Sequence, residues 1–211
     1  MDPKEVSNLT NKPIRLDDSR ILTIPDKDNG EKLVGILDLP RVVLPSQVKT
    51  KVKGVNDSPN IVVREDVRRR LEKAIKLLPK NYGFVLIEGL RSYKYQKKLF
   101  EEQLKKQATQ FVSDPDVYSP HLTGGALDIA IYNLETNDYL DMGNLFEKTD
   151  SAMTNFPDLT EEQKNNRNLL IKIMQEVGFV NYAGEWWHWS FGDKLWAFLN
   201  NKENSIYGNI K

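Results

Sequence analysis

No cysteine occurs in the 211 residues, so a disulfide framework, a thiolate nucleophile and a cysteine-ligated metal site are all excluded. Histidine is nearly as scarce, with two in the chain. Neither sign of charge is in excess: Lys plus Arg and Asp plus Glu each number 30. That balance removes the broad positive field that non-specific binding to nucleic acid or a membrane surface needs. No apolar run approaches the length of a membrane span, and the start, MDPKEVSNLTNKPIRLDDS, holds no stretch resembling a secretory leader. The expectation is a soluble, cytoplasmic chain with no nucleic-acid partner and no membrane span. Its length suits a single domain over 1–211 around one core.

What is present reads as alternating helices and strands. Residues 1–60 mix prolines, glycines and charges with short apolar runs such as Val42, Val43 and Leu44, which predicts N-terminal strands and loops. From Arg64, the three- and four-residue spacing of Val67, Leu71, Ala74, Ile75 and Leu78 predicts a helix that Pro79 stops. GFVLIEG at 83–89 reads as a buried strand, with Arg91 just beyond its end. A polar helix follows, with Ser92 as N-cap and an apolar stripe of Tyr95, Leu99, Phe100 and Leu104. ALDIAIY at 126–132 is a second buried strand whose one carboxylate is Asp128. Leu169, Leu170, Ile173, Met174 and Val177 form another helical stripe that Gly178 ends. FVNYAGEWWHWSF then reads as a hairpin turning at Ala183 and Gly184. The pattern predicts an α+β fold with helices packed on a mostly antiparallel sheet.

Both histidines keep company with a carboxylate, in SPHLTGGALD (119–128) and EWWH (185–188). His121, Asp128 and His188 would make a three-ligand set suited to catalytic zinc, because a fourth tetrahedral position stays open for water. Taken singly, His121 reads equally as a loop histidine and His188 as a core histidine bonded to a carbonyl. Asp128 joins them: an ionised carboxylate in an apolar strand costs several kcal/mol unless a cation or strong donors compensate it. Gly124 and Gly125 would let a loop residue and a strand residue face one point. Glu185, three residues before His188, falls on the opposite face of a regular strand. To act as general base on a zinc-bound water, it must therefore sit at the strand's entrance. Arg91 could stabilise an oxyanion from the end of its strand; the plainer alternatives are a turn-exposed glutamate and a solvated arginine. Tyr182 and the tryptophans at 186, 187, 189 and 196 suggest a packed wall, most of it core.

These residues, together with EGLRS around Arg91, DMG-x-x-F from Asp141 to Phe146 and GF-x-x-Y-x-x-EWWH from Gly178 to His188, resemble the D-alanyl-D-alanine dipeptidases of the vancomycin-resistance type. The similarity runs from about Arg64 to Phe191. It implies an α+β zinc D-Ala-D-Ala peptidase (hedgehog-like) fold, one Zn2+ per chain, cytoplasmic location and hydrolysis of a small D-dipeptide. His121, Asp128 and His188 match that family's zinc ligands, Glu185 its catalytic base and Arg91 its transition-state arginine. Ser119 matches a residue near the substrate's amino end, and Glu147 falls where the family pairs an aspartate with the substrate ammonium. Two departures concern the substrate rather than the metal: Leu90 and Ser92 flank Arg91 where the family often has tyrosine and proline, and Pro120 precedes His121 where serine is common.

The leading expectation is a zinc metallodipeptidase. Its rivals are a D,D-carboxypeptidase or endopeptidase acting on peptidoglycan peptides, and a non-catalytic zinc or peptide-binding domain. The DMG-x-x-F run argues against the first, and an open three-ligand set beside Glu185 and Arg91 argues against the second.

Overall fold

A computed structural model describes residues 13–53, 55, 61–105 and 112–210; parts of the N-terminal third and the end of the helix expected at 92–107 lie outside them. Helix α1 (Ser19–Leu22) leads into β1 (Leu33–Gly35) and β2 (Val42–Val43). Next come β3 (Val62–Arg64), α2 (Glu65–Leu77), β4 (Tyr82–Glu88) and α3 (Tyr93–Lys105). The second half holds β5 (Ala126–Asn133), β6 (Asp138–Tyr139), α4 (Glu161–Glu176), β7 (Val180–Asn181), β8 (His188–Ser190) and α5 (Lys194–Leu199). The main sheet runs β2-β4-β5-β8-β7, with β6 on β5. Its pairs are antiparallel except β2 with β4, and β1 pairs separately with β3. This is the expected α+β class, with α1 as an addition to the strands and loops of the first sixty residues.

Helix α2 buries Val67, Leu71, Ala74 and Ile75, and α4 buries Leu170, Ile173 and Met174. Both stripes pack with Phe84, Leu86, Leu127, Ile129 and Ile131 of the central strands. The spacing of apolar residues therefore chose the faces correctly in these two helices. Helix α4 begins at a capping box between Thr160 and Gln163 and ends before Gly178, whose φ of 89° suits glycine alone.

Helix α3 departs from expectation. Ser92 does cap it, accepting from the Tyr95 N–H at 3.3 Å, but Tyr95 and Leu104 are about half exposed, and the inward position is Gln96. The Gln96 amide donates to Ser113 O at 2.6 Å and its carbonyl accepts from Arg91. A buried polar junction, which periodicity of apolar residues does not register, sets the rotation of this helix.

The long connection between β6 and α4 is held from α4 by Arg167. This side chain is 2% exposed and donates to Met142 O (2.8 Å), Met153 O (2.6 Å), Thr154 O (3.2 Å) and Ser151 O (3.1 Å). Burial lowers its pKa, and backbone carbonyls share its charge. Replacing it with methionine keeps the volume and strands these acceptors, so Arg167→Met should cost about 2–4 kcal/mol. A thermal melt checks this: the midpoint should fall by roughly 5–15 °C, and an unchanged midpoint would contradict the role.

Candidate metal centre

Neighbouring strands carry the first part of the site. Glu88 of β4 pairs with Asp128 of β5, and Asp128 pairs with His188 of β8, so the side chains of this row leave one face of the sheet. A bulge makes the row possible. Phe84 opposes Ile131 and Leu86 opposes Ile129, but the register shifts by one before Glu88 meets Asp128. In unbroken register, Glu88 would point into the helix-covered face with Phe84 and Leu86; the extra residue turns it to the Asp128 side.

His121 arrives from the 3-10 turn Pro120–Thr123, which starts on a proline and ends at Gly124 with φ 73°. Thr123 Oγ1 donates to Pro120 O at 2.7 Å and accepts from the Gly125 N–H at 3.0 Å. A Cβ on Gly125 would stand 2.3 Å from Phe191 O, so both glycines are needed where the chain bends into β5. The segment after β4 clamps this turn: the Arg91 N–H donates to His121 O at 3.0 Å, and His121 Nδ1 lies 2.9 Å from Gly89 O.

His121 Nε2 and His188 Nδ1 are 3.2 Å apart. Asp128 Oδ1 lies 3.0 Å from the His188 nitrogen and 3.4 Å from that of His121. All are buried. The outward nitrogens fix what faces inward. Gly89 O can only accept, so His121 carries its proton on Nδ1 and presents a lone pair at Nε2. His188 Nε2, 3.3 Å from Ser190 Oγ, can donate there and leave a second lone pair at Nδ1. These lone pairs and a carboxylate oxygen, converging where all three side chains are buried, repel unless positive charge lies among them. The three groups also shift one another's charge. Burial alone would raise the Asp128 carboxyl, yet His121 and His188 hold it well below the usual range. Burial alone would lower His121, yet Asp128 raises it. Nitrogen and oxygen donors about 2.0–2.1 Å from a common tetrahedral centre stand about 3.3 Å apart, and the observed 3.0, 3.2 and 3.4 Å bracket that value. The donor set fits a divalent ion.

This group opens on a cavity of about 610 Å3 that Arg91, Ser119 and Glu185 also line. The hairpin of β7 and β8 places Glu185 by successive turns: its N–H donates to Tyr182 O at 2.9 Å, and its carbonyl accepts from the His188 N–H at 3.1 Å. It thus sits at the entrance to β8, as its spacing required. Its carboxylate accepts from Lys148 Nζ at 3.0 Å. Arg91 is held against Glu88 through Nε at 2.7 Å and through Nη2, and Nη1 donates to Gln96. Burial would lower the Arg91 pKa, but Glu88 raises it above the ordinary value. Trp186, Trp187 and Trp189 are core, as expected of most of the aromatic wall, while Tyr182 faces the cavity.

Glu147 is not brought to this cavity. It is exposed and lines a neighbouring one beside Thr50 and Lys51. The same loop instead presents Lys148 and Asp150 to the metal-site cavity. Spacing after DMG-x-x-F could not show which carboxylate turns inward, because Phe146 adopts φ 67° and redirects the chain. Sequence reading also missed Glu88, although it is the lone carboxylate of GFVLIE and the argument applied to Asp128 holds equally for it.

Residues 45–205 match the peptidase M15 family, described as D-ala-D-ala dipeptidase. The chain belongs to that family. Its members are metal-dependent peptidases. A D-alanyl-D-alanine dipeptidase of Synechocystis is 32% identical over 110 residues, which cover 46% of this chain and 44% of that relative, so the match spans under half of the relative's length. One from Escherichia coli is 28% identical over 163 residues, covering 72% and 82% of the two chains. Among solved structures, a vancomycin-resistance D,D-dipeptidase in complex with a D-Ala-D-Ala phosphinate analogue is similar at 21% identity and a TM-score of 0.44, covering 90% of this chain and 72% of that one. No helix among the described residues is long and apolar enough to cross a membrane.

The metal assignment makes a graded prediction. Equilibrium dialysis of purified protein against a divalent metal should give one ion per chain, and His188→Ala should abolish stoichiometric binding. Ser190→Ala, which removes the hydroxyl beside His188 Nε2, should weaken binding roughly 10- to 100-fold. Equal binding by wild type and His188→Ala would contradict the assignment.

Proposed function

We propose that the protein is a zinc-dependent hydrolase of D-Ala-D-Ala or similar small D-amino-acid dipeptides. The observation that carries this reading is the buried convergence of His121, Asp128 and His188 with no fourth histidine, cysteine or carboxylate in the group among the described residues. This is the open set of a catalytic rather than a structural zinc site. A zinc ion held there would supply Lewis acidity and a water of lowered pKa.

The remaining roles fall to the chain's own side chains. Glu185 takes the proton of the attacking water and returns it to the leaving amine, exchanging its hydrogen bond from Lys148 as it does so. Arg91 spends one N–H on Gln96 and two on Glu88, leaving two of its five for the oxyanion that develops on the scissile carbonyl. Glu88 is then a positioning residue that keeps the guanidinium plane fixed. Ser119 lies in the wall beside His121. Asp150, rather than Glu147, is the carboxylate placed to meet the substrate's ammonium.

A steady-state panel tests the reading. Zinc-loaded protein should cleave D-Ala-D-Ala in preference to its L-containing isomers, and Glu185→Gln should retain zinc but lose about 10²- to 10⁴-fold in kcat. Hydrolysis that survives complete zinc removal would refute the proposal. Preference for an intact wall pentapeptide over the free dipeptide would replace it with a carboxypeptidase reading.

A further inference from the structure

Part of the wall of this cavity is built by the N-terminal segment, through Pro13, Arg15, Leu16 and Asp17. This strap is anchored. Ile14 and Leu16 pack with α1, Tyr118, Tyr182 and α5 in a second apolar cluster, whereas the alternate residues Arg15 and Asp17 are exposed. The Asp18 N–H donates to Arg15 O at 3.1 Å, and the Asp18 carboxylate accepts from the Arg20 N–H at 2.9 Å as it caps α1. Lys194 of α5 donates to Leu22 O at 3.2 Å. Backbone and helix together thus fix where Arg15 stands.

Among the described cations of this cavity, Arg15 is the one suited to an incoming carboxylate. Arg91 is held edge-on by Glu88, and Lys148 is engaged with Glu185. Arg15 gives Nε–H to Asp17 Oδ1 and one Nη2–H to Asp17 Oδ2, both at 2.8 Å. That leaves both Nη1 hydrogens and the second on Nη2, the end-on fork that binds a carboxylate with two parallel hydrogen bonds. Asp17 therefore orients the guanidinium without using that fork. Tyr182 lies between the strap and the metal centre. Its ring meets His188 edge-on at 6.1 Å, and it shares an apolar cluster with Ile14 and Leu16 of the strap. Arg15, Tyr182 and the metal-site residues line one cavity.

We propose that Arg15, carried on this anchored strap, holds the free terminal carboxylate of the peptide that enters the cavity and so selects short peptides with an unblocked C terminus. The inference rests on the hydrolase reading of the metal centre, since the proposed contact places the scissile bond at the ligands.

The test uses the zinc-loaded full chain as wild type, Arg15→Gln and Arg15→Lys. Calorimetry measures binding of a non-hydrolysable reduced-amide analogue of D-Ala-D-Ala, as free acid and as carboxamide, beside kcat and KM for the hydrolysable pair. Wild type should favour the acid about 10- to 100-fold. Arg15→Gln should bring that ratio near one, raising KM for the acid with kcat little changed, and Arg15→Lys should restore part of the ratio. Arg15 is exposed, so these variants should melt as wild type does. A wild type indifferent to the carboxylate, or an Arg15→Gln variant that keeps the wild-type ratio, overturns the proposal. Arg15-dependent binding of the acid without hydrolysis of either peptide would sustain it and sink the hydrolase reading instead.

Discussion

A carboxylate and a pair of imidazole lone pairs held within 3.0–3.4 Å of one another in a buried space cannot be left without positive charge, and the local structure is organised around meeting that demand. Asp128 has no arginine or lysine of its own. The strand carrying it is buried along almost its whole length, so water offers little relief. Its neighbours come from three directions: His188 across the sheet, His121 from the turn before β5, and Glu88, which holds Arg91, from the bulged end of β4. Each arrives through a backbone device, namely a cross-strand pair, a proline-led turn closed by glycine, and a one-residue register shift. None of these can move far without breaking sheet or turn hydrogen bonds. A site built on such elements is rigid before any ligand binds, which is what a metal centre with a narrow tolerance for donor distance requires.

The apolar architecture serves this arrangement from the other side of the sheet. Helices α2 and α4 cover one face with their apolar stripes, leaving the opposite face at the end of β4, β5 and β8 for chemistry. Helix α4 has a second role through Arg167. Its guanidinium gathers carbonyls from the connection that bears Lys148, Thr149 and Asp150, so one wall of the cavity is tied to the core. The N-terminal strap supplies another part of the wall, held by a separate apolar cluster around α1 and α5. The cavity thus lies between segments fixed independently of each other.

Legibility in the sequence followed the range of the interaction involved. The stripes of α2 and α4, the strands at 83–89 and 126–132 and the hairpin were readable because each is encoded locally, by period and by glycine or proline at its ends. The grouping of His121, Asp128 and His188 was readable because histidine is so scarce, and because Asp128 stands alone in an apolar strand. Features that depend on a register or on a distant partner were hidden. The bulge that turns Glu88 toward Asp128 leaves no pattern of its own, although Glu88 carries the signal that exposed Asp128. Helix α3 is rotated by Gln96, a polar contact across seventeen residues to Ser113, so its apolar stripe was a poor guide to the buried face. The role given to Glu147 rested on alignment of a spacing, and a positive φ at Phe146 sends that side chain elsewhere. Nothing in the first sixty residues announced that Pro13–Asp17 would form part of the cavity, because that depends on α1 docking against the far end of the chain.

Under the proposed hydrolase function, the distribution of charge in the cavity would suit both an ion and a zwitterion. Each basic side chain that lines it brings its own acid: Arg91 has Glu88, Lys148 has Glu185, and Arg15 has Asp17. These pairs cancel at a distance, yet each keeps donors or acceptors pointing inward. Asp128 and Asp150 lie outside this pairing, as does Asp114. The first, buried among imidazoles, suits a divalent ion; the second, exposed in the loop, suits an ammonium that arrives and leaves with substrate. A cavity lined by unpaired lysines and arginines would compete with the ion for Asp128, and one lined by unpaired acids would draw cations away from the ligands. Pairing each cation locally avoids both outcomes, and leaves selection of the peptide to the directions of individual hydrogen bonds rather than to net charge.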